Sequence, residues 1–125
     1  MSAREHQDQS NIQEITRLVG RLDGGNWLQS HDAREDLVDI GRAAVPALTE
    51  ALHNPDEHVR WEAAKALGQI SDSSAAPALV EALLDTNFGV RWLAAEGLIA
   101  MRRRGLKPLM QALIDRSDNV WLRQG

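Results

Sequence analysis

The 125 residues predict an all-α fold, an α-α superhelix of about four antiparallel helix pairs with the last pair truncated. Three observations carry that prediction. The segments VPALTEAL, APALVEAL and LKPLMQAL end at Leu52, Leu83 and Leu113, so successive copies stand 31 and 30 residues apart, a period at which repeats form arrays. Within each copy the apolar residues recur at the three- and four-residue spacing of one helical face. Prolines fall near the starts of the repeated helices, and short polar clusters fall between the stripes, where turns are needed.

The elements follow in chain order. MSAREHQDQS, residues 1–10, is polar and reads as a flexible tail, leaving 11–125 as a single domain. Ile15, Leu18 and Leu22 stand 30 residues before Val45, Leu48 and Leu52, which gives a faint first copy of the helix that VPALTEAL repeats. Ala33, Leu37 and Ile40 stand 30 before Ala63, Leu67 and Ile70 and mark the second helix of that first pair. Pro46 and Pro77 lie near the starts of the third and fifth helices, where a missing amide hydrogen costs nothing; Pro108 lies one position later in the seventh. HNPDEH (His53–His58) and SDSS (Ser71–Ser74) read as turns. Val59, Ala63, Leu67 and Ile70 form the stripe of the fourth helix, and Val90, Ala94, Leu98 and Met101 that of the sixth. The eighth starts near Val120 and stops about halfway at Gly125. No helix of a pair can bury its stripe alone, so the pairs must stack.

The phrase V-R-x-x-A-A-x-A-L-G-x-I, followed by A-x-P-A-L-x-x-A-L, resembles the short HEAT repeats named after phycobilisome lyase subunits. The resemblance covers residues 12–125 and departs from the pattern at Gln29, in place of Val, and at Trp121, in place of Arg. It implies a superhelix whose second helices line the concave surface, and a role as a protein-interaction scaffold.

Composition narrows the function. A net charge of −4 argues against a phosphate-binding surface and hence against nucleic acid. The chain has no cysteine, which excludes disulfides and zinc–cysteine sites. No apolar run approaches a membrane span, and the polar N-terminus lacks a signal-peptide core; a cytoplasmic protein is expected.

The tryptophans suggest where a partner binds. VRWEAAKALG and VRWLAAEGL place Trp61 and Trp92 two residues after the valine, in a chain with one Phe and no Tyr. At roughly 100° per residue, Trp61 falls opposite the stripe of Ala63, Leu67 and Ile70. The Ala-rich core leaves little room for indoles. If the second helices line a groove, it carries an aromatic ridge of Trp27, Trp61, Phe88 and Trp92. His31, Glu35, Glu62, Lys65, Leu93 and Glu96 complete the expected partner-binding face. The acids favour a basic protein or peptide, and tryptophan is the residue most typical of binding hot spots. Two other readings stay open: the indoles fold over neighbouring helices as packing, or the uncapped C-terminal end associates with a second copy.

No catalytic, metal or cofactor site is expected. The HEAT-like deoxyhypusine hydroxylases hold irons with His-Glu pairs, whereas the equivalent residues here are Trp61-Glu62 and Trp92-Leu93. His53 and His58 flank Asp56 and Glu57, which reads as a solvated turn rather than a metal site. Arg102-Arg103-Arg104 reads as a turn with one arginine offsetting the sixth helix's dipole. No phosphate loop, nucleophile elbow or paired-carboxylate motif is present. The alternative function is an accessory subunit of a bilin lyase or other enzyme, binding a flat conjugated ligand or its carrier protein.

Overall fold

The computed structural model describes residues 3–23 and 25–102, with side chains from residue 9 onward. The expected fourth pair, with Trp121 and the C-terminal end, lies outside the described residues, as do Arg103 and Arg104. Six α-helices follow one another among the described residues: α1 (Ala3–Gly20), α2 (Trp27–Ile40), α3 (Val45–Ala51), α4 (Glu57–Ile70), α5 (Ala76–Ala82) and α6 (Phe88–Met101). Short 3-10 turns at Arg21–Asp23, Gly41–Ala44 and Ser73–Ala75 join them. Helix α1 runs through most of the span that the sequence assigns to a tail. The reason is local: AREHQDQS contains neither glycine nor proline to stop a helix that Ile15 and Leu18 anchor further on.

The helix starts repeat as the sequence repeats. Asn26, Asp56 and Asn87 occupy one register position and cap α2, α4 and α6, each side chain accepting a hydrogen bond from a backbone N–H of the first turn. Pro46 and Pro77 sit in the first turns of α3 and α5, as their fixed φ favours. At the other end, Gly41 and Ser71 share a position and both have positive φ, 78° and 59°. Ser71 therefore takes a left-handed C-cap that a glycine would adopt with less strain.

Helices α1, α3 and α5 pack against α2, α4 and α6 respectively, and α2, α4 and α6 pack side by side. The core lies between these two layers and holds Leu18, Leu22, Leu37, Leu48, Val59, Leu67, Leu79 and Val90, all essentially without solvent exposure. The alanines Ala63, Ala64, Ala66 and Ala94 are likewise buried and let the helices approach. The most extensive helix contact is between α4 and α6. There Gly68 and Gly97 meet backbone to backbone: a Cβ on Gly97 would stand 3.1 Å from the Gly68 Cα.

The arginine of the repeated Val-Arg phrase ties one pair to the next. Arg60 donates to the Asp85 carboxylate at 2.9 Å and to the Asn54 carbonyl at 2.9 Å, bridging the loops before α4 and α6. Arg91 donates to the Asp85 carbonyl at 2.7 Å. Although burial raises the Asp85 pKa, the Asn87 backbone N–H and Arg60 outweigh it and hold the carboxyl below its ordinary value. No helix among the described residues is long and apolar enough to cross a membrane.

Candidate functional site

The repeat breaks at two positions of α2, and the break creates a cavity. Ser30 stands where the following copies have Arg60 and Arg91, and Arg34 stands where they have Ala64 and Ala95. The short serine leaves space, and the long arginine crosses the gap to α4. Arg34 Nε donates to Glu62 Oε1 at 3.2 Å and Arg34 Nη1 to Gln69 Oε1 at 2.8 Å. Both members of the ion pair are almost fully enclosed, with 4% and 3% of their side chains exposed. Beside them opens a cavity of about 540 Å³, lined by Trp27, Ser30, His31, Arg34, Glu57, His58, Trp61, Glu62, Lys65 and Asn87. That volume lies within the range of small-ligand pockets.

The side chains around it are interlocked. His58 lies parallel to the Trp61 indole, with ring centroids 6.4 Å apart and planes 5° from parallel. Its Nε2 is 3.1 Å from the Ser30 hydroxyl, which itself donates to the Trp27 carbonyl. The Lys65 ammonium stands 5.0 Å from the centre of the Trp61 ring, within cation–π reach. Gly89 closes on the edge of the same indole, where a Cβ would come within 2.9 Å of Trp61 Cδ1. Trp27, 70% exposed, touches only the His31 ring edge-on among aromatic neighbours of the described residues. His31 lies 3.7 Å from the carboxylates of both Asp32 and Glu35.

The expected binding face is thus divided. Trp27, His31, Trp61, Glu62 and Lys65 surround this cavity. Glu35 is exposed beside it, touching His31 and Arg34. Lys65 also reaches a second hollow of about 330 Å³ between α4 and α6, where Leu93 and Glu96 are found with Gly68 and Gly97. Phe88 and Trp92 are exposed on α6 at 72% and 60% and line neither hollow. Arg91 lies over the Phe88 ring.

Two placements differ from the sequence reading. Trp61 is half-buried and packs against the core instead of standing free. A helix in a stacked array has neighbours on both flanks, and Gly89 of α6 supplies a flank with no side chain. Glu62 is 2% exposed and paired, not a surface acid of the ridge. At three residues past Val59 it lies only about 60° from it around the helix, close enough to face α2. Leu93, its counterpart in α6, is also packed against the core.

Sequence reasoning passed over Arg34, Ser30 and His58. For Arg34 and Ser30 the signal was available, since each interrupts a position that the later copies keep constant. The polar run around His58 predicts a solvated turn, whereas His58 belongs to the first turn of α4 and lies parallel to Trp61. Among the described residues no group of three or more His, Cys, Asp or Glu side chains could hold a metal ion.

Residues 15–99, more than half of the chain, match the family of HEAT repeats. No curated protein matches the chain. The helix pairs, the shared cap positions and the α2–α4–α6 layer are the architecture such repeats build, and repeats of this kind commonly serve as protein-interaction scaffolds. The chain belongs to the HEAT-repeat family.

Proposed function

We propose that the chain is a non-catalytic scaffold that binds a protein segment or peptide on the face formed by α2, α4 and α6, anchored at the cavity between Trp27 and Trp61. The observation that supports this most is Trp27, a large aromatic left 70% exposed at the rim of a cavity whose other wall is also tryptophan. Exposed aromatics beside a recess are the usual anchors of protein interfaces. Phe88 and Trp92 extend the apolar surface along α6 and give a longer partner further contacts. The second reading, an accessory subunit of a bilin lyase or other enzyme binding a flat conjugated ligand, fits less well. A stacked tetrapyrrole needs a broad open indole face, whereas the His58 imidazole lies parallel to Trp61 and Gly89 closes on its edge. The short-repeat subtype resembling phycobilisome lyase subunits is compatible with either reading.

The test is selection of peptides from a displayed random library on the immobilised chain, in parallel with Trp27→Ala. Trp27 is exposed enough that its loss spares the fold, which a matching thermal melt checks. Peptides retained by the parent chain and lost by Trp27→Ala support the proposal. Retention of the same peptides by both chains refutes the assigned face, and retention of none refutes the scaffold reading.

A further inference from the structure

Among the described residues, three buried side-chain polar atoms have no hydrogen-bond partner: His31 Nδ1, Glu62 Oε2 and Ser71 Oγ. Two of them, on His31 and Glu62, belong to residues that line the cavity between α2 and α4. His31 Nδ1 stands 3.7 Å from the Asp32 carboxylate, so the orphan at this recess is Glu62 Oε2. Buried polar atoms are normally satisfied, which points to a group that supplies a hydrogen bond there. A carboxylate oxygen can only accept, which makes the missing group a donor.

The cavity lining holds two carboxylates, Glu57 and Glu62, and two cations, Arg34 and Lys65; Asp32 and Glu35 stand beside it against His31. Arg34 is committed to Glu62 Oε1 and Gln69, leaving the second oxygen of Glu62 unserved. Lys65 holds its ammonium over the Trp61 ring, so a cation already uses the indole face that a ligand cation would seek.

Resting on the proposal that this face binds a peptide, we infer that the cavity between α2 and α4 receives an arginine side chain of the partner. Its guanidinium displaces the Lys65 ammonium from the Trp61 indole, lies against Trp27 and Trp61, and donates to Glu62 Oε2, an oxygen enclosed until that shift opens it. The planar fork of a guanidinium matches this combination of carboxylate and aromatic wall better than a compact ammonium. Lys65 is then a resident competitor, held on the ring until the partner's arginine takes its place.

The experiment is calorimetric titration of the chain with N-acetyl-arginine methylamide and with the citrulline analogue, which keeps the shape and loses the charge. The arginine probe is expected to bind, with citrulline about tenfold weaker or more, because the charge-assisted bond to a carboxylate is lost. Lys65→Gln, at a half-exposed position, tightens arginine several-fold by removing the competitor. Glu62→Gln brings arginine down to the citrulline level; if that variant melts early, Lys65→Gln and the probe pair decide alone. Equal binding of the two probes, or weaker arginine binding by Lys65→Gln, overturns the inference. The two proposals fail separately: Trp27-dependent peptides that lack arginine sink this one and leave the peptide-binding face standing.

Discussion

Replacing Arg34 by Ala tests the ion pair that sets the first helix interface apart from the second. The substitution restores the alanine found at the same position in α4 and α6, Ala64 and Ala95, but it leaves the buried Glu62 carboxylate without its ion-pair partner. Removing one partner of a buried pair costs about 3–5 kcal/mol. The Nε···Oε1 distance of 3.2 Å is long for a charged bond, so the lower end, about 3 kcal/mol, is expected. At a urea slope of about 2 kcal/mol per molar, the unfolding midpoint falls by about 1.5 M. Adding Glu62→Leu, which copies Leu93 of the next pair, removes the stranded charge together with its desolvation cost. The double variant should return to within about 1 kcal/mol of the parent, since apolar replacements of buried pairs are often neutral. Urea denaturation followed by helical circular dichroism, run on the parent, both single variants and the double, gives the coupling directly. A loss below about 1 kcal/mol for Arg34→Ala, or a double variant as unstable as the sum of the singles, refutes the assignment of a stability-bearing pair at this interface.

Further outcomes follow from the packing and from one partly buried carboxylate. Gly97→Ala gains about 1 kcal/mol of helix propensity but drives a Cβ to 3.1 Å from the Gly68 Cα; overpacking of about 1–3 kcal/mol wins, and the melting temperature drops. Gly20→Ala, with nothing within 4 Å of the new methyl, does not lower it. Gly89→Ala pushes against Trp61 Cδ1 and Nε1, so tryptophan emission shifts to longer wavelength and acrylamide quenching increases. The Asp85 carboxyl, held below its ordinary value in the folded chain, favours folding at pH above its unfolded pKa of about 4. That contribution disappears as pH falls through the lower folded value, so the stability advantage of the parent over Asp85→Asn shrinks below about pH 4 in urea titrations.

Much of the fold was legible because its signals are local and repeated. The stripes of Val45, Leu48 and Ala51 and of Val59, Ala63 and Leu67 are buried as their spacing requires, and the prolines sit in the first turns where they were placed. The extent of α1 was not legible from polarity alone, because a polar segment without glycine or proline can extend a helix that is anchored elsewhere. The site was read less completely for a geometric reason. A helical wheel separates the stripe facing a helix's own pair from the opposite side, but it does not show which flank meets the next pair. Trp61 and Glu62 lie on those flanks, and their burial depends on Gly89 and Arg34, residues far away in sequence. Position-by-position comparison of the copies carries that information: Arg34 among alanines and Ser30 among arginines mark where one interface differs from the other.

The most direct measurement follows the indole N–H resonances of the four tryptophans in a nitrogen-15 correlation spectrum while an arginine-containing peptide from the library selection is added. Saturating shifts at Trp27 and Trp61, abolished by Trp27→Ala with the fold retained, are the predicted result. Unmoved Trp27 and Trp61 resonances during demonstrated binding, with the shifts falling on Trp92 or Trp121 instead, would contradict the assignment of the α2–α4 cavity as the partner's anchor.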